Sequence, residues 1–261
     1  MARDGRGCGL KNKDLFVFSG TEPMSNFMVR RWRQASEEAI ERKGLFIAAL
    51  SGGKTPVHFY RTLANQRGTL PWDKTHLFLV DERFLSWDDP DSNYHLLRES
   101  LLDRIEIPQE NLHPVPAGNP TPQLSAEAYE EDIRRFFKLR SGQYPLFDLV
   151  LLGIGEDGHT ASLFPGSPAL EEGYHLAVAV IRDETRHHRI TLTLPVINHG
   201  QEVVFLVSGK NKAAILKRVI RQGDLSLPAS RVSPNRGKLL FLSDLEAGSS
   251  LSEGKEVMPD D

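Results

Sequence analysis

Short apolar runs alternate with longer amphipathic segments along almost the whole chain of 261 residues, and this alternation constrains the fold most strongly. The apolar runs lack strict polar–apolar alternation, which is typical of strands buried on both faces of a parallel sheet. The predicted strands are 15–18, 45–50, 77–80, 148–154, 176–181, 203–207 and 239–242. The predicted helices are 23–43, 56–66, 93–102, 125–139 and 211–221. Strands alternating with helices predict an α/β fold with a mostly parallel sheet.

One segment interrupts this pattern. Residues 114–122, PVPAGNPTP, are rich in proline and glycine, which excludes a helix or an inner strand. Too few residues lie on either side for two independent α/β sheets, so an ordered excursion is favoured over a domain boundary. We therefore expect one domain over residues 14–246, with flexible polar tails at 1–13 and 247–261.

Composition excludes several classes of protein. The chain has 32 Lys and Arg against 35 Asp and Glu, and no basic stripe predicts nucleic-acid binding. It lacks the apolar region of a signal peptide and any apolar run near the ~20 residues of a membrane span. The single cysteine, Cys8, excludes an internal disulfide or a cysteine-based zinc cluster and is interpreted as incidental. A reducing compartment fits this usage, so we expect a cytoplasmic protein.

The segment 148–166, DLVLLGIGEDGHTASLFPG, contains the clearest functional motif. An apolar run ends in glycines that include Gly155, and Asp157 and His159 follow. Ligands of open α/β sheets bind at the carboxyl ends of the strands, where glycine lets the backbone approach a ligand. A histidine there titrates near neutral pH, and a nearby carboxylate fixes its tautomer. This motif alone leaves open an ordinary surface histidine.

A glycine-rich turn, SGGKTP at 51–56, follows the predicted strand 45–50. A turn of this kind at the start of a helix presents free N–H groups to a phosphate. A nucleotide-binding P-loop is disfavoured because Ala48 stands where the Walker pattern requires a glycine. An ordinary structural turn without a ligand is the alternative interpretation. The candidate phosphate-contacting residues are Gly52, Gly53, Lys54 and Thr55.

Charged residues also follow the next predicted strand. Asp81 could accept hydrogen bonds from sugar hydroxyls, and Arg83 could contact a phosphate or carboxylate. A solvated turn is the alternative. Asp91 or Ser92 is expected to cap the following helix, and Asn93 could face the same cleft.

Two further cations lie near predicted strand ends. Arg189 begins the apolar run RITLTLP and needs an anion or solvent as its partner. Lys212 falls in the first turn of a predicted helix, where the helix dipole disfavours a cation unless an anion is bound. A solvent-facing lysine is the alternative. Because the chain contains neither HExxH nor GxSxG, histidine chemistry on water or on a sugar remains.

The motifs SGGKTP, VDERF…DDPDSNY, DLVLLGIGEDGHTASLFPGS, RITLTLP and the turn at 209–212, in this order, resemble the 6-phosphogluconolactonases. The resemblance runs from about Phe16 to Leu245. It implies a three-layer α/β/α domain, a Rossmann-like, mostly parallel sheet with helices on both faces. It also implies hydrolysis of 6-phosphoglucono-1,5-lactone to 6-phosphogluconate in the oxidative pentose phosphate pathway, with neither metal nor organic cofactor.

The resemblance also implies roles for individual residues. His159 matches the general base that activates water for attack at C1, and Asp157 matches its neighbouring carboxylate. Backbone N–H groups of the glycine turns could stabilise the oxyanion. Lys54 departs from the pattern, since relatives usually have serine there. The implied substrate-binding residues are Gly52, Gly53, Lys54, Thr55, Asp81, Arg83, Gly155, Arg189 and Lys212.

Two other functions are alternatives to the lactonase. An amino-sugar-phosphate deaminase or isomerase has a closely similar fold, but there the motif typically reads DEY instead of DER, and a different stretch follows the histidine. A non-catalytic sugar-phosphate-binding regulator usually carries a DNA-binding module, and no segment here predicts one. We expect a small-molecule sugar-phosphate lactone as the partner. The oligomeric state is open, with a monomer favoured.

Overall fold

The computed structural model describes residues 13–66, 68, 70–183, 187–251 and 256–257, which form a large and a small sheet with helices. The strands are β1 (Lys13–Phe18), β2 (Phe46–Leu50), β3 (Thr75–Leu79), β4 (Asp81–Arg83), β5 (Leu112–His113), β6 (Leu149–Leu152), β7 (Ala177–Val180), β8 (Arg189–Leu192), β9 (Glu202–Val207), β10 (Lys238–Asp244) and β11 (Glu256–Val257). The helices are α1 (Thr21–Lys43), α2 (Thr55–Ala64), α3 (Asn93–Ser100), α4 (Pro122–Phe137), α5 (Leu194–Ile197) and α6 (Ala213–Lys217).

The large sheet is parallel throughout and confirms the predicted fold class. Its order is β11-β1-β10-β9-β6-β2-β3-β5. The central strands β2 and β6 are buried along their whole length, as expected for strands covered on both faces by helices. This is the three-layer α/β/α arrangement, and the carboxyl ends of the strands meet at one edge of the sheet.

Helix α1 covers part of this sheet with one apolar face. Met24, Met28 and Trp32 recur at a spacing of one helical turn and are all buried. Trp32 meets Phe46 of β2 edge-on, with ring centres 4.9 Å apart. The helix ends, as its glycine predicts, at Gly44, whose φ of 85° lies in the left-handed region.

The small sheet differs from the prediction. The run predicted at 176–181 forms β7, which lies outside the parallel sheet and pairs antiparallel with β8, and β8 pairs antiparallel with β4. The two middle residues of β7 are only half-buried, unlike those of the central strands of the large sheet. Strand β4 was not predicted, since a short run of charged residues carries no apolar signal.

The proline-rich segment is irregular up to its last residue, where α4 begins. Thr121 caps this helix by accepting a hydrogen bond from the N–H of Leu124 at 3.2 Å, and Pro122 occupies the first turn. Proline is favoured there because its missing N–H would be unpaired in any case. The predicted start at residue 125 was therefore too late.

The prediction of a flexible tail from residue 247 is wrong for residues 247–251. A single 3-10 turn spans Ala247–Ser250, and Ala247 and Leu251 are buried in the core. The Ala247 N–H donates to Asp244 Oδ1 at 2.7 Å, which joins this turn to the end of β10. Cys8, with the rest of residues 1–12, and residues 252–255 and 258–261 lie outside the described residues. Among the helices described, none has the length and apolar character needed to cross a bilayer.

Candidate active site

A cavity of about 890 Å³ lies where the carboxyl ends of β2, β6 and β9 face the small sheet. Every site residue predicted from the sequence lines it, although these residues come from widely separated parts of the chain. They are Gly52, Gly53, Lys54, Thr55, Asp81, Arg83, Gly155, Asp157, His159, Arg189 and Lys212.

The His159 side chain is held by a carboxylate from its own loop. Its Nδ1 lies 2.5 Å from Asp157 Oδ1, and its backbone N–H donates to the same oxygen at 3.1 Å. With Nδ1–H directed to the carboxylate, Nε2 is the ring nitrogen left to accept a proton. Partial burial disfavours charge on Asp157, but the hydrogen bonds and positive charge of His159 outweigh it and lower the Asp157 pKa. Asp157 is therefore an anionic partner at neutral pH.

Gly155 makes room for this pair. The Gly155 N–H donates to the His159 carbonyl at 2.8 Å, which closes the loop. A Cβ at position 155 would lie 2.0 Å from His159 Nδ1 and 2.6 Å from Asp157 Oδ1. The glycine is thus required for the close approach of the two side chains.

Strand β4 explains the spacing of Asp81 and Arg83. Residues two apart point to the same face of a strand, so both side chains face the cavity while Glu82 points the other way. Asp81 Oδ2 accepts a hydrogen bond from Ser162 Oγ at 2.6 Å. In the antiparallel register Arg83 lies directly opposite Arg189 of β8.

The arginines of the small sheet and its loop form a positively charged surface of the cavity. Burial lowers the pKa of Arg189, and the positive charges of Arg83 and Arg182 lower it further. Within the described residues, neither Arg83 Nε nor Arg189 Nε has a hydrogen-bond partner. Like charges placed opposite each other on adjacent strands destabilise a sheet. A bound anion would remove both costs.

Glu82 organises the opposite face of β4, and the sequence analysis did not identify it. Its carboxylate accepts hydrogen bonds from the N–H groups of Asn93 and Tyr94 at 2.7 and 2.8 Å, and from Ser92 Oγ at 3.0 Å. The buried acid thereby attaches the N-terminus of α3 to β4, and Ser92 is the helix cap, as predicted. No local signal marked Glu82, because its partners lie on α3.

The two glycine turns meet on the other side of the cavity. Gly53 has a φ of 95°, and Thr55 Oγ1 lies 3.1 Å from Ser208 Oγ in the turn after β9. Lys212 is half-buried in that turn, while Lys54 is exposed at the start of α2. The arrangement brings backbone N–H groups and two ammonium groups to one end of the cavity.

Two further lining residues were not predicted as site residues. Phe164 lies beside His159 with ring centres 4.7 Å apart, and Arg182 contacts Phe164 from the loop between β7 and β8. Phe164 stood in the quoted motif without a role, and nothing in the pattern around Arg182 indicated a site. Among the residues described, no group of three or more His, Cys, Asp or Glu side chains is placed to hold a metal ion.

Comparisons with known proteins place this site in a family. The model of the family described as glucosamine-6-phosphate isomerases/6-phosphogluconolactonase matches residues 20–241. The 6-phosphogluconolactonase of Synechocystis sp. is 43% identical over 216 residues, which cover 82% of this chain and 88% of the relative. The 6-phosphogluconolactonase of Nostoc sp. is 44% identical over 218 residues, covering 83% and 89%.

A solved structure agrees with these sequence matches. The 6-phosphogluconolactonase from Trypanosoma cruzi superposes with a TM-score of 0.79 at 28% identity, covering 92% of this chain and 97% of that one. The resemblance inferred from the motifs is confirmed. This chain belongs to the glucosamine-6-phosphate isomerase/6-phosphogluconolactonase family.

Proposed function

We propose that this protein hydrolyses 6-phosphoglucono-1,5-lactone to 6-phosphogluconate, the lactonase step of the oxidative pentose phosphate pathway. It is then a hydrolase acting on a carboxylic ester, and two of its relatives carry the name 6-phosphogluconolactonase. The observation that carries the proposal is the His159–Asp157 pair, which leaves Nε2 available as a base in a cation-lined cavity. The cytoplasmic location and the monomeric state stay predictions from the sequence.

The proposed reaction needs one base and one water molecule. His159 Nε2 takes a proton from water as the water oxygen bonds to C1, and the carbonyl oxygen becomes an oxyanion. The carbonyl then re-forms, the bond from C1 to the ring oxygen breaks, and the imidazolium returns the proton to that oxygen. The carboxylic acid product ionises at neutral pH. Asp157 stabilises the imidazolium without taking the proton, since its pKa is lowered.

The cations of the cavity bind and position the phosphate of the substrate. In the proposed complex, Arg189 and Lys212 bind the phosphate, together with the backbone of the 52–55 turn. Asp81 accepts a hydrogen bond from a sugar hydroxyl, and Arg83 contacts the substrate on the same strand face. Binding the phosphate at a distance from C1 orients the lactone for attack.

The main alternative is an isomerase or deaminase, which the same family includes. Two contacts favour the lactonase. Arg83, where the alternative typically has tyrosine, pairs in register with Arg189 and adds positive charge. Ser162 and Phe164 of the stretch after His159 contact Asp81 and the imidazole. The relatives from Synechocystis sp. and Nostoc sp., at 43% and 44% identity, also carry the lactonase name.

The test measures acid release from freshly prepared 6-phosphogluconolactone against spontaneous hydrolysis. We expect rapid hydrolysis by the wild type and no release of ammonia from glucosamine 6-phosphate. His159→Ala should reduce kcat by about 10²-fold or more, because a general base is lost, and should still bind 6-phosphogluconate. Ammonia release at a rate comparable to lactone hydrolysis would contradict the proposal. Near wild-type turnover by His159→Ala would remove the base from the mechanism.

A further inference from the structure

The loop between β7 and β8 carries a cation to which the proposed mechanism gives no role. Arg182 lines the cavity, and its guanidinium carbon lies 3.9 Å from the centre of the Phe164 ring. The ring of Phe164 in turn lies 4.7 Å from that of His159. An aromatic face attracts a guanidinium through its quadrupole. Phe164 thus contacts both the Arg182 guanidinium and the His159 imidazole.

The positive charge of Arg182 adds to that of its neighbours. It is among the charges that lower the pKa of Arg189, after burial and Arg83. A contact with an aromatic face leaves the N–H groups at the guanidinium edge free to bind an anion. With Arg189 and Lys212 assigned to the phosphate, Arg182 is available for a second anionic group near His159.

The proposed reaction creates such a group at C1. The lactone is uncharged there, but water attack produces an oxyanion, and the product is a carboxylate. C1 must lie beside His159 Nε2 for the base to act. Arg182 lines the same cavity, and both Arg182 and the imidazole contact Phe164. We propose that Arg182 contacts the oxygen atoms on C1 and binds the charge that forms there. This inference rests on the proposed function.

A cation in this position acts mainly on the transition state. The substrate carbonyl attracts it weakly, whereas the oxyanion attracts it strongly, so the contact raises kcat more than it lowers KM. Arg182 transfers no proton in this scheme, because the guanidinium stays protonated in proteins. It acts beside the backbone N–H groups of the glycine turns, which the sequence analysis named as groups that could stabilise the oxyanion.

The experiment compares two ligands that differ only at C1. 6-Phosphogluconate has a carboxylate there, whereas glucitol 6-phosphate has a neutral hydroxymethyl group and the same phosphate. Calorimetric titration of Arg182→Gln should show about tenfold weaker binding of 6-phosphogluconate and unchanged binding of glucitol 6-phosphate. Arg182→Lys should restore part of the loss. Arg189→Gln is the matched control and should weaken both ligands alike.

Kinetics give a second measurement. Arg182→Gln should lower kcat for the lactone by about tenfold, with a smaller effect on KM. If Arg182→Gln weakened the binding of both ligands equally, or of neither, the inference would be overturned. Hydrolysis by the wild type would still support the proposed function in that case. A wild-type protein without lactonase activity would contradict the proposed function and the inference together.

Discussion

At the scale of single residues, the site depends on the absence of a side chain at Gly155. Gly155 has no positive φ, so its backbone would accept alanine without strain. The added Cβ would instead displace the imidazole and the carboxylate of the His159–Asp157 pair, which are the far ends of flexible side chains. Such a substitution would therefore disturb the geometry of the His159–Asp157 pair more than the stability of the fold.

We therefore expect Gly155→Ala to lose much of its turnover, approaching the roughly 10²-fold loss of a missing general base. Its melting temperature should stay near that of the wild type. Gly153→Ala is the matched control, because no atom lies within 4 Å of a Cβ at position 153. Assays of kcat for both variants decide the point, and full turnover by Gly155→Ala would show that the pair tolerates displacement.

The residues of the site were predictable to unequal degrees. Asp157 and His159 directly follow a buried strand, so chain order alone places them at the sheet edge. Arg182 and Glu82 depend on contacts across the fold, with Phe164 and with the N-terminus of α3. No local spacing encodes such contacts, and the sequence therefore did not reveal these two residues.

At the scale of elements, the edge of the large sheet carries a histidine pair away from the predicted site. His76 Nδ1 of β3 lies 3.2 Å from His113 Nε2 of β5, and His113 Nδ1 lies 2.8 Å from Asp132 Oδ2 of α4. Phe78 stacks on His113 with ring centres 4.0 Å apart. Burial, followed by the proximity of His113, lowers the pKa of His76 to about 4, although Glu110 opposes the shift.

This shift predicts acid sensitivity. In the unfolded chain His76 takes up a proton near pH 6.5, but in the folded protein it does so only near pH 4. Its contribution to stability is thus present above pH 6.5 and is lost as the pH falls from 6.5 towards 4. In urea unfolding between pH 6.5 and 4, the free energy of unfolding should fall less steeply for His76→Gln than for the wild type. If the free energy of unfolding fell with pH equally steeply in the two proteins, His76 would not be the source of the acid sensitivity.

The elements of the two sheets also differed in predictability. The apolar composition of the run 203–207 predicted a buried strand, which forms as β9 in the parallel sheet, whereas the similar run 176–181 pairs antiparallel in the small sheet. Strand β4 has three charged residues, and β5 only two residues, so neither carries an apolar signal. Both exist because a neighbouring strand supplies hydrogen-bond partners, which is information from the tertiary structure.

At the scale of the whole molecule, residues after β10 close the core instead of trailing from it. Leu251 is 1% exposed, whereas Leu245, six positions earlier, is 44% exposed. The prediction of a tail from residue 247 failed because the serine- and glycine-rich composition hid two buried apolar side chains, Ala247 and Leu251.

Leu251→Ala should therefore destabilise the protein by about 2–5 kcal/mol, the usual cost of truncating a buried leucine. Leu245→Ala is the matched control and should change the free energy of unfolding by less than about 0.5 kcal/mol. Chemical denaturation of both variants measures the difference. Equal, small effects would place Leu251 outside the cooperative core.

The pairing of β4 with β8 has a consequence for how this site can change. Three residue pairs define the register, Asp81 with Thr191, Glu82 with Ile190 and Arg83 with Arg189. A slip of one position would reverse the faces of β4, so that Glu82 would enter the cavity and both Asp81 and Arg83 would leave it. The cavity would then lose the cation of Arg83 and would bind an anion less strongly. A single insertion or deletion within β4 would therefore exchange the Asp81 and Arg83 side chains in the cavity for that of Glu82.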